Sequence, residues 1–182
     1  MDSKLEFKRI IEENIHRNGI NEFMEWLEST DFFTAPASTR FHDCFEGGLA
    51  FHSLNVYSHL QRLCKWYNID VTDESIAIVS LLHDICKVGC YKTEMRWRKD
   101  ANDKWEQYAT YKFEEDYAFG GHGSKSVYLI QNFMRLTPDE ATAINCHMGV
   151  ENGKWEVNEA FRRNPLAFLL HTADMASTIE EL

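Results

Sequence analysis

The stretch Ile76-Ala77-Ile78-Val79-Ser80-Leu81-Leu82-His83-Asp84 places an imidazole and a carboxylate at the end of the most apolar segment of the chain. A helix is predicted to begin at Thr72 or Asp73 and to end near Gly89, with apolar side chains on most of its faces. Such a helix is typical of the centre of a protein core. Burying His83 and Asp84 there is costly unless hydrogen bonds or a bound metal satisfy them. The pair therefore marks either a buried polar network or a metal site.

Helical signals lie on both sides of this segment. Residues 49–67 read as a long buried helix, and shorter helices are predicted over 4–17, around 23–27 and over 124–134. Thr137-Pro138-Asp139-Glu140 is a capping box with proline at the first helical position, and Asn164-Pro165 repeats the start signal for a final helix. The sequence predicts an all-α bundle in a single domain, 1–182, with the N-terminal helices of residues 1–30 packed on its core.

Residues 91–113 differ from the rest of the chain because aromatic and charged side chains replace the helical pattern. Asp100-Ala101-Asn102-Asp103 is turn-like, and aromatic residues precede and follow it. The segment therefore predicts a small β-hairpin inserted in the bundle. Its basic and aromatic side chains could stack a base and hold phosphate, or they could form a solvated hairpin with cross-strand aromatic pairs.

Composition and charge narrow the classes of function. The chain has 182 residues, of which 44% are hydrophobic, enough for a packed core. It contains no run of about 18 uncharged apolar residues and no secretory signal, so we expect a cytoplasmic protein without a membrane partner. The net charge of −10 repels phosphate backbones, and no extended nucleic-acid footprint is expected.

The five cysteines are interpreted as reduced thiols, because their number is odd and no signal peptide indicates an oxidising compartment. Cys86 and Cys90 lie four residues apart and could be argued as metal ligands. No second cysteine pair completes a zinc site, so packing is the favoured interpretation.

A His-Asp pair occurs twice in this chain, and its setting separates the two copies. His42-Asp43 lies in a polar loop, where both groups are interpreted as solvated. His83-Asp84 ends an apolar helix, and four other polar residues lie on or beside apolar elements: His52, His122, His147 and Asp174. Four imidazoles and two carboxylates from five helical segments are the inventory of a metal site in a bundle core.

The order of these residues resembles the H…HD…D signature of the HD superfamily of metal-dependent phosphohydrolases. Gly47-Gly48-Leu49-Ala50-Phe51-His52-Ser53 resembles the segment of the family's first histidine. Leu81-Leu82-His83-Asp84-Ile85-Cys86-Lys87 resembles its HD-x-G-K segment, with Cys86 in place of the frequent glycine. His122 and His147 resemble the additional histidines of members that bind two metals. The resemblance covers residues 36–177 and implies an HD-domain helical bundle.

The resemblance also implies a dinuclear site and a hydrolytic activity. The first divalent metal would be bound by His52, His83, Asp84 and Asp174. Asp84 would bridge to a second metal, whose other ligands would be His122 and His147. The metals, with Mn, Fe, Co, Ni, Zn and Mg all open, would activate a shared hydroxide. It would attack a phosphomonoester, phosphoanhydride or phosphodiester of a nucleotide or another small phosphorylated metabolite.

Asp84 and Lys87 are the residues to which this resemblance assigns catalysis. In the family, a lysine one helical turn after the HD histidine contacts phosphate, which makes Lys87 a substrate-binding candidate as well. Its alternative role is that of a solvated charge at a helix end. Arg40, in the loop that precedes His52, could bind phosphate through two parallel hydrogen bonds or form a surface salt bridge. His171, one turn before Asp174, is expected to be structural.

Two other functions stay open. Some HD-fold proteins resemble mixed-valent di-iron oxygenases, which share the same ligand inventory and have a lysine after the HD pair. The third possibility is a non-catalytic ligand-binding or regulatory module, although degenerate members usually lose ligands and all six are present here. The sequence leaves the oligomeric state open.

Overall fold

The computed structural model describes residues 2–40, 42–115, 119–149 and 155–179. Within these ranges the chain forms eight α-helices and one two-stranded antiparallel sheet, so the predicted mainly helical class with a hairpin insertion is confirmed. The helices are α1 Ser3–Asn14, α2 Ile20–Glu28, α3 Gly48–Tyr67, α4 Asp73–Leu82, α5 His122–Gln131, α6 Pro138–Cys146, α7 Trp155–Arg163 and α8 Pro165–Ser177. The strands are β1 Tyr91–Lys99 and β2 Trp105–Phe113.

Helix α4 lies at the centre, as its sequence predicts. Every residue from Ile76 to Leu82 is buried. Helix α3 packs on α4 and α8, α6 packs on α8, and α5 packs on α6. Phe7 of α1 and Phe23 of α2 belong to the same buried apolar cluster, so the N-terminal helices pack on this core.

The prediction that the central helix continues to Gly89 is wrong. The α-helix ends at Leu82, and a 3₁₀ turn over Ile85–Lys87 follows. In that turn the backbone N–H of Lys87 donates to the carbonyl of Asp84 at 3.0 Å, a tighter bond than the α-helical one. His83 and Asp84 therefore lie between the end of the α-helix and the 3₁₀ turn, and this turn packs against α5.

Helix α7 is not predicted from the sequence. Most of its residues are charged or polar, and none of those whose side chains the structure describes is fully buried, so the segment offers few apolar residues by which a helix could be predicted. Its anchor is Phe161, whose ring packs edge-on against Phe168 and stacks on His171 of α8. The helix is therefore held by tertiary contacts.

The hairpin has the predicted position. Strand β1 pairs with β2 from Tyr91 opposite Phe113 to Lys99 opposite Trp105. Its base is joined to the bundle by the Tyr91 hydroxyl, which donates to the carbonyl of Ala37 at 2.7 Å. Trp97 near its tip is 61% exposed. Among the described residues, no helix is both long and apolar enough to cross a membrane.

Candidate metal centre

Three buried histidines turn the same ring nitrogen toward a common centre. The Nδ1 atom of His83 lies 2.8 Å from the carbonyl of Ser80, and that of His147 lies 2.7 Å from the carbonyl of Ile144. A carbonyl can only accept, so Nδ1 carries a proton and donates, and the ring turns its Nε2 atom toward the centre. Each carbonyl is three residues upstream, so the helix that carries the ring also orients it.

His52 is oriented in the same way by α8. The Ser177 hydroxyl donates to the carbonyl of Asp174 at 2.6 Å, so its oxygen is free to accept from His52 Nδ1 at 3.2 Å. The Nε2 atoms of His52, His83 and His147 are all buried and have no hydrogen-bond partner. Three buried ring nitrogens without hydrogen-bond partners that face one centre are what a metal ion would satisfy.

Asp84 lies between these imidazoles. Its Oδ2 atom is 3.8 Å from Nε2 of His52 and 3.5 Å from Nε2 of His83. Its Oδ1 atom is 3.5 Å from Nε2 of His147, is buried, and has no hydrogen-bond partner. The two oxygens of one carboxylate therefore face different histidines, as a bridge between two cations requires.

Asp174 lies on α8 and contacts the histidine cluster from that helix. Its Oδ1 atom is 3.1 Å from Nε2 of His52 and 3.8 Å from Nε2 of His83. Ligand atoms of Asp174, His83 and His147 also lie within 4.8 Å of one another. His147 therefore approaches both halves of the cluster, whereas the family resemblance implied a contact with the second metal alone.

His122 reaches the centre from the first turn of α5. Its Nδ1 atom is buried and has no hydrogen-bond partner, and burial lowers the pKa of the ring, so His122 is neutral at pH 7. Next to it, Gly123 allows α5 to touch α6, because a Cβ there would overlap with the carbonyl oxygens of Ile144 and Asn145. This close approach brings the start of α5 beside the end of α6, which His147 follows.

Ligand atoms of His122 and Asp84 lie within 4.8 Å of the sulfur of Cys86. The sequence favoured a packing role for this cysteine. The signal that could have indicated otherwise is its position, since Cys86 occupies the glycine position of the segment that resembles HD-x-G-K.

Lys87 is buried, although a solvated charge was one of its two expected roles. Its ammonium group donates to Oδ2 of Asp84 at 2.7 Å and to the carbonyl of Ala37 at 2.8 Å. An ammonium has three donors, so one remains for another acceptor. Lys87 therefore fixes the rotamer of the bridging carboxylate and also brings positive charge to the centre.

The interpretation of His42-Asp43 as a solvated loop pair is wrong. Asp43 is only 2% exposed, and its Oδ2 atom lies 3.6 Å from Nδ1 of His52. The half-buried ring of His42 lies 4.9 Å from that of His52, centroid to centroid. The loop packs against Gly48 at the start of α3, and within it the amide of Ala37 donates to the carbonyl of Asp43 at 3.1 Å.

Arg40 lies apart from this buried cluster. It is exposed and lines a groove of about 440 Å³ between the loop before α3 and strand β2. Arg96 and Lys112 line the same groove. His171 lies behind the centre, with its Nδ1 2.6 Å from the carbonyl of His147, which agrees with a structural role.

The ion pairs fix the charge state of the two carboxylates. Burial raises the pKa of Asp174, but its close contact with His52 and the nearby imidazole of His83 outweigh burial and lower it to about 2. Burial also acts on Asp84, where Lys87 and His83 outweigh it and hold the pKa well below its ordinary value. Both groups are ionised at neutral pH, as metal binding requires.

These residues fit a metal ion. Three groups of side chains present ligand atoms within 4.8 Å of one another: His52 with His83 and Asp84, His83 with His147 and Asp174, and Asp84 with Cys86 and His122. Buried imidazole nitrogens and carboxylate oxygens without hydrogen-bond partners suit divalent transition metals.

Comparison with protein-family models, with curated proteins and with solved structures finds no match for this chain. The residues and their geometry therefore carry the functional inference.

Proposed function

We propose that this protein is a metal-dependent phosphohydrolase with a dinuclear centre, acting on a nucleotide or another small phosphorylated metabolite. The observation that carries the proposal is the position of Asp84. Its two oxygens face different imidazoles, and the Nε2 atoms of His52, His83 and His147 lie around it without hydrogen-bond partners. A hydrogen-bonded structural network would bring these atoms to hydrogen-bond distance of Asp84, whereas the Asp84 oxygens stay 3.5 to 3.8 Å from the three Nε2 atoms.

The proposed ligands divide between the two faces of Asp84. On the Oδ2 side, His52, His83 and Asp174 supply two imidazoles and a second carboxylate. His147 faces the Oδ1 side, and His122, whose ring nitrogen lies within 4.8 Å of a carboxylate oxygen of Asp84, would supply the second imidazole of that site. When bound, two divalent cations would lower the pKa of a shared water and neutralise charge on a phosphoryl group.

Other side chains of the protein orient the proposed ligands before a substrate binds. Lys87 holds the Asp84 carboxylate in one rotamer through its 2.7 Å contact, and the remaining N–H of its ammonium is available to a phosphoryl oxygen. Burial of the cluster excludes bulk water, which strengthens each electrostatic interaction with a phosphate.

Basic side chains also line the groove beside the hairpin, where they oppose the negative charge of the whole chain. Arg40, Arg96 and Lys112 line the groove beside the hairpin, whose base is tied by Tyr91 to Ala37, the same carbonyl that Lys87 contacts. We propose that this groove receives the part of the substrate beyond the scissile phosphate. A small phosphorylated ligand fits such a local basic surface better than an extended nucleic acid does, given the net charge of −10.

The test is phosphate release by protein reconstituted with each candidate metal, over nucleoside mono-, di- and triphosphates and cyclic nucleotides. We expect metal-dependent release with at least one substrate. The Asp84→Asn variant should lose this activity because it loses the bridging charge. His16→Ala, a change at an exposed histidine, should retain it.

Two outcomes would contradict the proposal. Iron-dependent oxygen consumption with no phosphate release would indicate a di-iron oxygenase with the same ligands. A folded Asp84→Asn protein that keeps wild-type metal content and ligand binding would indicate a non-catalytic module.

A further inference from the structure

Cys86 lies in the 3₁₀ turn directly after the His83-Asp84 pair and is only 1% exposed. Its backbone N–H donates to the Ser126 hydroxyl at 3.1 Å, which fixes the turn against α5. The same helix begins with His122. As a result, the Cys86 sulfur, a ring nitrogen of His122 and a carboxylate oxygen of Asp84 lie within 4.8 Å of one another.

Several buried polar atoms of the neighbouring side chains have no hydrogen-bond partner. Asp84 is 3% exposed, and its Oδ1 atom has no hydrogen-bond partner. Nε2 of His147 lies 3.5 Å from that oxygen and has none either, and neither has Nδ1 of His122. Cys86 therefore adds a fourth potential ligand beside Asp84 to the three, Asp84, His122 and His147, that the family resemblance implied for the second metal.

We propose that Cys86 is a thiolate ligand of the cation on this side, so that the second site has a Cys-His-His-Asp donor set. The inference rests on the proposed function, because it deepens the same dinuclear centre. A sulfur ligand favours zinc, cobalt or iron over magnesium and manganese, which prefer oxygen ligands. The two halves of the centre would then differ in metal preference, with only imidazoles and carboxylates on the other side.

The nearby Cys90 has different contacts and serves as a comparison for Cys86. It is also buried, but its sulfur receives a hydrogen bond from Lys125 at 3.3 Å and lies 3.4 Å from the carbonyl of Cys86. Lys125 is in turn paired with Glu115 at 3.0 Å. The Cys90 thiol is thus engaged in joining the 3₁₀ turn to α5, and Cys90→Ser is a matched control for Cys86→Ser.

Coordination by Cys86 requires loss of the thiol proton. Burial raises the pKa of this thiol to about 12, so the side chain is a neutral thiol at pH 7 without a cation. A bound divalent ion is a larger local charge than any other group here, and coordination to it deprotonates a thiol outright.

The test is the absorption spectrum of chelator-treated protein titrated with Co²⁺. Wild-type protein and the Cys90→Ser variant should show visible ligand-field bands together with a thiolate-to-cobalt charge-transfer band in the near ultraviolet. The Cys86→Ser and Cys86→Ala variants should keep visible bands but lose the charge-transfer band. We also expect their Zn²⁺ affinity to fall about 10-fold or more, with a smaller change for Mn²⁺.

The possible outcomes distinguish failure of this inference from failure of the proposed function. Visible bands without a charge-transfer band in the wild type would refute the cysteine ligand and leave the metal centre standing. No cobalt spectrum at all would refute both. X-ray absorption of the zinc-loaded wild type covers the case of a misfolded variant, since it should show one sulfur neighbour at about 2.3 Å and a shell of only nitrogen and oxygen would overturn the inference.

Discussion

Asp43 lies behind His52, on the side of the ring opposite to Asp84 and Asp174. Its carboxylate is 3.6 Å from Nδ1 of His52, while Asp174 is 3.1 Å from Nε2. A carboxylate behind a ligating imidazole fixes the ring and increases its basicity as a metal ligand. Asp43 thus acts on the proposed centre through His52.

Replacing Asp43 by asparagine keeps the side-chain volume and removes the charge. We expect the affinity for the metal bound by His52 to fall about 10-fold or more, which competition with a fluorescent chelator would measure. Thermal unfolding of the metal-free variant serves as the control for folding. Wild-type affinity in a folded Asp43→Asn protein would mean that the carboxylate has no influence on the ligand.

The contrast between His83-Asp84 and His42-Asp43 shows which residue-scale features a sequence reveals. The first pair follows a regular apolar helix, and periodicity alone indicates its burial. The second lies in an irregular loop that is buried by long-range contacts, such as the amide of Ala37 with the carbonyl of Asp43. No local pattern encodes such contacts, so the sequence indicated a solvated pair.

Among the elements, the contact between α5 and α6 places two of the proposed ligands. His122 begins α5, His147 follows α6, and Gly123 permits the helices to touch at that point. The boundaries of α6 can be predicted from the sequence, because its capping box and proline are local signals. The register between α5 and α6 cannot be predicted in this way, because it depends on a contact between the backbones of two separate helices.

A methyl group at Gly123 should separate these helices. We expect the Gly123→Ala variant to lose about 1–3 kcal/mol of unfolding free energy through overpacking and to bind the second metal more weakly than the first. Urea unfolding and metal titration would measure the two effects. Ser124→Ala is the control, because it removes only a hydrogen bond of 2.8 Å to Asn145, and an equal loss in both variants would contradict the account.

Across the whole molecule, one buried ion pair connects distant parts of the chain. Arg17, after α1, donates to both carboxylate oxygens of Glu140 at 2.6 and 2.8 Å and to Glu74 at 3.1 Å. Ser75 also donates to Glu140, whose side chain is fully buried, at 2.6 Å. The starts of α4 and α6 are thereby tied together at a distance from the proposed metal centre. Sequence patterns identified the elements, but not this link between them.

The Arg17→Met variant leaves Glu140 as a buried carboxylate without its counter-charge. We expect it to lose about 3 kcal/mol of unfolding free energy at pH 7, measured by urea unfolding. Arg9→Met removes an exposed arginine that pairs with Glu6 and Glu13, and it should change stability far less.

The loss in Arg17→Met should also depend on pH. Burial raises the pKa of Glu140, but hydrogen bonds from Arg17, Ser75 and Thr137 outweigh burial and lower it in the folded protein. The stabilisation is therefore fully present above the unfolded-state pKa of about 4.3 and is lost as the pH falls through the folded-state value. The gap between wild type and variant should shrink below about pH 4, and a gap that stays constant would contradict this assignment.

The central claim is that His52, His83, Asp84, His122, His147 and Asp174 together hold two divalent cations. The most direct measurement is the metal-to-protein ratio by plasma emission spectrometry after reconstitution and removal of free metal. The ratio should approach two for the wild type and for His16→Ala and should fall to one or less for Asp84→Asn, because both sites use this carboxylate. A wild type that retains no metal, or an Asp84→Asn protein that retains two ions, would contradict the claim.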